Sequence, residues 1–300
     1  LIDNNIFVST AVFQSDDFRS VIDICQNYSL KNLELGFLAG LNGNDLRKLG
    51  ELRTDSDFHF LIHNYFPPPP EPFVLNLADY NEPSWSLSID HCKKAIDLAS
   101  ALQCPFYSLH AGFCFRAAPA HLGRKITAVS LIPKEEARRV FIHSLQLVAD
   151  YARKKNVRIA IENHVVEADN RVNGENPYFL GVTADDLLEL VADVQRENVG
   201  VLLDLGHLKV SANTLGFSPE EFIEKLSPKI IAIHFHDNNG IKDEHSGIAG
   251  DSWFWKPIRE NLPGDLYGIL EVKHLDPEEI TRQVRLISSL YYNYGKDHEI

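Results

Sequence analysis

Apolar and polar positions along this chain alternate on two periods. Short, nearly continuous apolar runs recur eight times: Ile6–Ser9, Asn32–Gly36, Phe58–His63, Phe106–His110, Arg158–Glu162, Gly200–Asp204, Ile230–His234 and Tyr267–Glu271. Runs of this kind, rich in β-branched residues, are what strands covered on both faces require. Between them lie segments of helical period: Ser86–Leu102, Pro133–Lys155, Thr183–Gln195, Ser218–Leu226 and Asp276–Tyr292. Thr183-Ala-Asp-Asp and Ser218-Pro-Glu-Glu carry helix-start signals, a capping hydroxyl followed by acids near the positive helix end. Eight strands alternating with helices predict an α/β fold, a single (β/α)8 barrel in one domain spanning 1–300. A doubly wound open sheet is the alternative, but no Gly-x-Gly-x-x-Gly follows the first strand.

The long irregular stretches follow strands: Phe66–Pro83 with four consecutive prolines, Ala111–Ile132, Asn163–Gly181 and Phe235–Lys256. In a βα barrel such loops gather on one face, where active sites are built. Chemistry is therefore expected at the strand C-termini.

Four successive runs, the fifth to the eighth, end in Glu162, Asp204, His234 and Glu271. Three carboxylates and an imidazole side by side on a barrel rim repel one another, or are costly to desolvate, unless a cation neutralises them. A divalent ion offsets most of that charge. The third and fourth runs end in His63 and His110, which face the same cavity. His236 shares the inward parity of His234 if its strand continues, so alternation alone leaves both open. For each of these residues taken singly, a rim side chain bonded to its neighbours is the plain alternative.

Composition narrows the partners. With 300 residues, 44% hydrophobic and 24% charged, the chain has the make-up of a water-soluble globular protein, and no run reaches the roughly 18 apolar residues of a membrane helix. Leu1–Thr10 lacks a basic leader and reads as a first strand, so a cytoplasmic location is expected. The formal charge of −13 repels phosphate backbones and disfavours polynucleotides as partners. Cys25, Cys92, Cys104 and Cys114 form no C-x-x-C pair and read as reduced, buried thiols.

Ile161-Glu162-Asn163, Leu203-Asp204-Leu-Gly-His207, His234-Phe-His-Asp237 and Leu270-Glu271, in this order and on these strands, resemble the xylose-isomerase-like TIM barrels. That family holds sugar isomerases and epimerases, hydroxypyruvate isomerase and, more distantly, the endonuclease IV group. Asn76-Leu-Ala, His110-Ala-Gly and Asp243-Glu-His245 followed by Gly250-Asp251 add weaker support. The resemblance implies one divalent metal ion, Mn²⁺, Co²⁺, Mg²⁺ or Zn²⁺, held by Glu162, Asp204, His234 and Glu271, with His234 as the imidazole ligand. It also implies that Glu162 and Glu271 are the catalytic acid/base pair, and that His207 contacts a substrate oxygen. His63, His110, Asp243 and His245 complete the candidate substrate-binding set, the last two on a loop able to close over the site.

Trp253, Trp255, Phe66 and Phe113 are candidates for an apolar wall, and Lys273, Arg116 and Lys209 for contacts to substrate oxygens. The expected function is isomerisation or epimerisation of a sugar or sugar phosphate through a cis-enediolate, with a small carbohydrate as partner and a homo-oligomer in keeping with related barrels. Three alternatives stand beside it. One is a polyol or inositol-type dehydratase. Another is an endonuclease IV-like phosphodiesterase using His110, Glu162, Asp204, His207, His234, Asp243, His245 and Glu271, in which Asp79 falls where an early histidine is expected and damages the first metal site. The third is a barrel that has lost its chemistry.

Overall fold

The computed structural model describes residues 5–293 apart from 37, 39, 40, 120–124 and 128, so the first four residues of the Leu1–Thr10 run lie outside it. Eight parallel strands close on themselves in sequence order: β1 (Ile6–Ser9), β2 (Asn32–Leu35), β3 (His59–His63), β4 (Phe106–His110), β5 (Arg158–Glu162), β6 (Val199–Asp204), β7 (Ile230–Phe235) and β8 (Tyr267–Leu270). The pairing of β1 with β8, Phe7 opposite Ile269, completes the barrel and rules out the open sheet. Around it lie α1 (Phe18–Asn27), α2 (Gly43–Asp55), α3 (Ser84–Ala101), α4 (Lys134–Lys154), α5 (Ala184–Val194), α6 (Leu205–Leu215), α7 (Pro219–Leu226), α8 (Trp255–Asn261) and α9 (Pro277–Ile287).

Period-two alternation sorts the strand residues into two cores. One parity, including Leu33, Leu35, Ile62, Tyr107, Ile159, Ile161, Val201, Leu203 and Ile233, packs outward against the helices. The other, Phe7, Leu61, Phe106, Ala160, Leu202, Ala232 and Ile269, fills the bore. Each such fully buried aliphatic or aromatic side chain contributes about 1.5–3 kcal/mol. The bore is thus a packed floor beneath the rim.

Helix starts follow their caps. The Thr183 hydroxyl accepts from the Asp186 amide at α5, and Ser218 accepts from Glu221 at α7, with Pro219 in the first turn where its missing N–H costs nothing. The four cysteines are free and buried, and burial pushes each thiol up to about 12. They stay protonated at neutral pH. Among the described residues no helix is long and apolar enough to cross a membrane.

Candidate metal centre and its cavity

The site is built by adding two residues to each floor position. Leu61 leads to His63, Ala160 to Glu162, Leu202 to Asp204, Ala232 to His234 and Ile269 to Glu271, while Phe106 leads through Ser108 to His110. Every rim residue named from the sequence therefore shares the inward parity, and register places them side by side: His110 pairs with Glu162, and Asp204 with His234.

His234 is the hub. Its Nδ1 lies 3.1 Å from Glu271 Oε2, 3.3 Å from Glu162 Oε1 and 3.5 Å from Asp204 Oδ2. Glu162, Asp204, His234 and Glu271 each offer one ligand atom within 4.8 Å of the others, and all four are buried. Among the described residues His234 Nδ1 and Glu162 Oε2 have no hydrogen-bond partner, although both are buried. Polar atoms that converge at contact distance without hydrogen-bond geometry, in a cluster of three carboxylates, fit a divalent cation between them. The donor set, three oxygens and one nitrogen, suits Mn²⁺, Mg²⁺, Co²⁺ or Zn²⁺.

Electrostatics agree with that reading. Burial raises the Glu162 carboxyl, but the imidazoles of His110, His63 and His234 outweigh it and hold it at about 2. Burial likewise opposes ionisation of Asp204 and Glu271, yet the histidines around them hold both below the usual carboxylate range. Burial pushes the His234 imidazole down, and Glu271, Glu34 and Glu162 reverse this, raising it well above its ordinary value. A cation held by the quartet would take the place of that proton.

The supporting shell is as specific as the quartet. Glu34, on β2 and fully buried, places Oε1 3.1 Å from His234 Nε2. This carboxylate fixes the imidazole with Nδ1 toward the other ligands, the arrangement by which outer groups orient metal-binding histidines. Asn163 clamps β5 to β6: its Oδ1 accepts from the Asp204 amide at 2.7 Å and its Nδ2 donates to the Asp204 carbonyl at 3.0 Å. Asp204 is also the N-cap of α6, its Oδ1 accepting from the His207 amide at 2.7 Å. The helix begins with no intervening loop, which sets His207 over the mouth.

Beside the quartet lies a second group, His207, His236, Asp243 and His245. His236 and His245 stack with ring centroids 4.0 Å apart and 10° between planes. Most of their nitrogens are engaged: His236 Nε2 with Asp204 Oδ1 at 2.9 Å, His245 Nδ1 with the Glu271 carbonyl at 2.9 Å and Nε2 with Asp243 Oδ2 at 3.0 Å, and His207 Nδ1 with the Asn163 carbonyl at 3.0 Å. His63, His110 and Glu162 form a third group, with His110 Nδ1 3.1 Å from Glu162 Oε2. Asp79 is not a member of this group. The buried Asp79 carboxylate instead accepts from the Asn81 amide.

A cavity of about 670 Å³ opens above these groups, and His110, Glu162, His207, Asp243, His245 and Glu271 line it. His63 lies beneath, 7% exposed, with Nδ1 3.0 Å from the Ser108 hydroxyl. Of the proposed apolar wall only Phe113 reaches the cavity; Phe66 and Trp255 are buried in the main core and Trp253 packs on it. Of the basic candidates Lys273 lines it, while Arg116 does not and Lys209 is held by Asp237 Oδ1 at 2.6 Å.

Three residues of the site escaped the sequence reading or were left open by it: Glu34, His236 and His164. The last is buried, stacks on His110 at 5.2 Å and bonds to the Ala111 carbonyl; burial lowers it to about 3, so it is neutral. Parity was the usable signal for Glu34, a charge between Leu33 and Leu35, and for His236, two residues beyond His234.

The sequence profile of the xylose isomerase-like TIM barrels matches residues 22–285. An uncharacterised protein of Methanocaldococcus jannaschii is 25% identical over 296 residues, 96% of this chain and 89% of that one. Among solved structures, a D-tagatose 3-epimerase-like protein superposes with a TM-score of 0.74 at 22% identity, covering 98% of this chain and 99% of that one. The 3-keto-D-glucoside 4-epimerase of E. coli does so with a TM-score of 0.65 at 11% identity, covering 96% and 99%. At these identities the structural likenesses establish the fold alone.

Proposed function

The chain belongs to the xylose isomerase-like TIM barrel family, and from that premise we propose that it is a divalent-metal-dependent isomerase or epimerase of a sugar or related hydroxyketone. The observation that carries this reading is the convergence of Glu162, Asp204, His234 and Glu271, four consecutive strand ends, on one point at the floor of the cavity. The similar solved structures, a D-tagatose 3-epimerase-like protein and a 3-keto-D-glucoside 4-epimerase, support it.

These four residues would hold a divalent ion, which when bound would supply Lewis-acid polarisation of the substrate carbonyl and offset developing negative charge. The protein does the rest. Glu162 and Glu271, whose carboxylates lie 3.3 and 3.1 Å from His234 Nδ1, would flank the substrate carbon next to the carbonyl. One carboxylate takes the carbon-bound proton and the electron pair moves into the enediolate; the second, having taken a proton from solvent, returns it to the opposite face of that carbon, or to the neighbouring carbon as the hydroxyl proton passes to the former carbonyl oxygen, and the first then releases its proton to solvent. No atom is gained or lost overall. His207, at the first turn of α6, orients a substrate oxygen, and the barrel floor excludes water beneath the reacting carbon.

The test is turnover in deuterium oxide with a panel of ketoses, their phosphates and hydroxypyruvate, supplied with Mn²⁺, Co²⁺ or Mg²⁺. Deuterium entering the carbon next to the carbonyl, without loss of water, is the expected result. Loss of water would indicate a dehydratase, and no exchange with any member of the panel would remove the reading.

A second reading, a polynuclear phosphodiesterase, is favoured by one specific observation: the His63–His110–Glu162 and His207–His236–Asp243–His245 groups adjoin the quartet, and the first shares Glu162 with it. Against it stands the formal charge of −13, which repels phosphate backbones. Hydrolysis of bis(p-nitrophenyl) phosphate by protein carrying two or three zinc ions is its test.

A further inference from the structure

The cavity has two unlike halves. At its floor are the quartet and its histidines. Beyond His110 a continuous series of rings begins: His164 stacks on His110, and Phe113 and Phe179 lie 5.0 and 5.1 Å from His164. Phe115 extends this wall, 5.5 Å from Phe113. Tyr65 and Phe73, whose rings are 5.4 Å apart, also line the cavity. Phe113, Phe115 and Phe179 belong to an apolar cluster separate from the main core, built by the loops after β4 and β5, so the barrel itself does not need them there.

Charge in the outer half is equally informative. Apart from histidines, Lys273 is the one cation lining the cavity among the described residues, set against four carboxylates. Of those carboxylates Glu162 and Glu271 belong to the quartet, Asp243 contacts His245 and Glu167 accepts from Lys242, so a phosphate in the outer half would find one lysine, whereas an uncharged ring finds aromatic faces and edges. The volume, about 670 Å³, lies in the range that encloses a drug-sized molecule and exceeds what one sugar ring fills.

We propose that the substrate is larger than a free monosaccharide and unphosphorylated: a hydroxyketone sits at the quartet, and an uncharged apolar ring attached to it occupies the Phe73–Phe113–Phe179 half of the cavity. This rests on the isomerase reading for the hydroxyketone end, but the aromatic half can be tested separately.

The probes are hydroxyacetone, 1-hydroxy-4-phenylbutan-2-one and dihydroxyacetone phosphate, with Mn²⁺-loaded full-length protein. Calorimetry is expected to give the phenyl ketone at least about tenfold tighter binding than hydroxyacetone, and the phosphate no advantage over hydroxyacetone. Phe73→Ala, at a half-buried rim position, and the conservative Phe179→Leu should each reduce the phenyl advantage several-fold. Equal affinities for the phenyl and methyl ketones, tighter binding of the phosphate, or a phenyl advantage untouched in both folded variants would overturn the proposal. Deuterium exchange run on the same probes separates the two readings. Exchange without phenyl preference removes only the aromatic site, and phenyl preference without exchange removes only the isomerase.

Discussion

Glu34 is a carboxylate with no solvent around it, and its partner is the histidine at the centre of the quartet. Its role is to orient. Glu34→Gln keeps the shape and weakens the hold on His234, so metal affinity should fall about 10–100-fold while the fold survives, measured by competitive chelation. Glu162→Gln and Glu271→Gln act on the proton itself. Each is expected to give a folded protein without measurable turnover, and full activity in both would remove the acid/base assignment. The quartet was legible because each member closes an apolar run, where a charge has no structural reason to be. Glu34 was not, since Leu-Glu-Leu inside a short run looks like ordinary alternation until closure of the barrel puts that face in the bore. The choice of His234 over His236 rested on resemblance; Nδ1 of His234 lies within 3.5 Å of three carboxylates, whereas Nε2 of His236 bonds to Asp204.

At the scale of elements, the junction of β6 and α6 matters most. Asp204 ends the strand, caps the helix and points into the site, so strand, helix and site share one residue. Gly206 makes this possible: a Cβ there would lie 2.0 Å from His236 Cε1, and the first helical turn lies directly on that ring. Gly206→Ala should therefore cost about 1–3 kcal/mol by overpacking, seen as a lower midpoint in urea, and should displace His236 from Asp204. The helices α3, α4, α5, α7 and α9 were readable from the sequence, α3 and α4 by their length, 18 and 21 residues, and α5, α7 and α9 by side-chain caps at Thr183, Ser218 and Asp276. Four were not picked out: α1, α2, α6 and α8. In α6 the absence of a loop hid the start. The α8 helix is seven residues long, buried at Trp255, Pro257 and Ile258, and emerges from a loop too irregular to show a period.

Across the whole molecule the closed barrel was legible because eight buried strands and the helices between them leave few other solutions. The cavity was not. Its aromatic wall is made by loops whose pattern carries no period, and of the four aromatics proposed for it only Phe113 lies there. Acid stability belongs to this scale too. Burial lowers His91 to about 4, with its Nε2 3.3 Å from the Asn64 carbonyl, its ring 5.3 Å from Tyr65, and Lys94 opposing its charge. Below pH 6.5 the unfolded chain takes up a proton that the folded one refuses. Stability contributed by the neutral ring is complete above about 6.5 and is lost as the pH falls towards 4, by up to about 3 kcal/mol. Urea unfolding across that window should show a shallower decline in His91→Gln than in the parent chain; parallel declines would contradict this.

The central claim is that three carboxylates and one imidazole hold a single working metal. Elemental analysis of the purified protein after exposure to Mn²⁺ or Zn²⁺ and removal of excess ion tests it most directly. About one equivalent per chain, abolished in Asp204→Asn, is the predicted result. Two or three tightly held equivalents, or none, would contradict it.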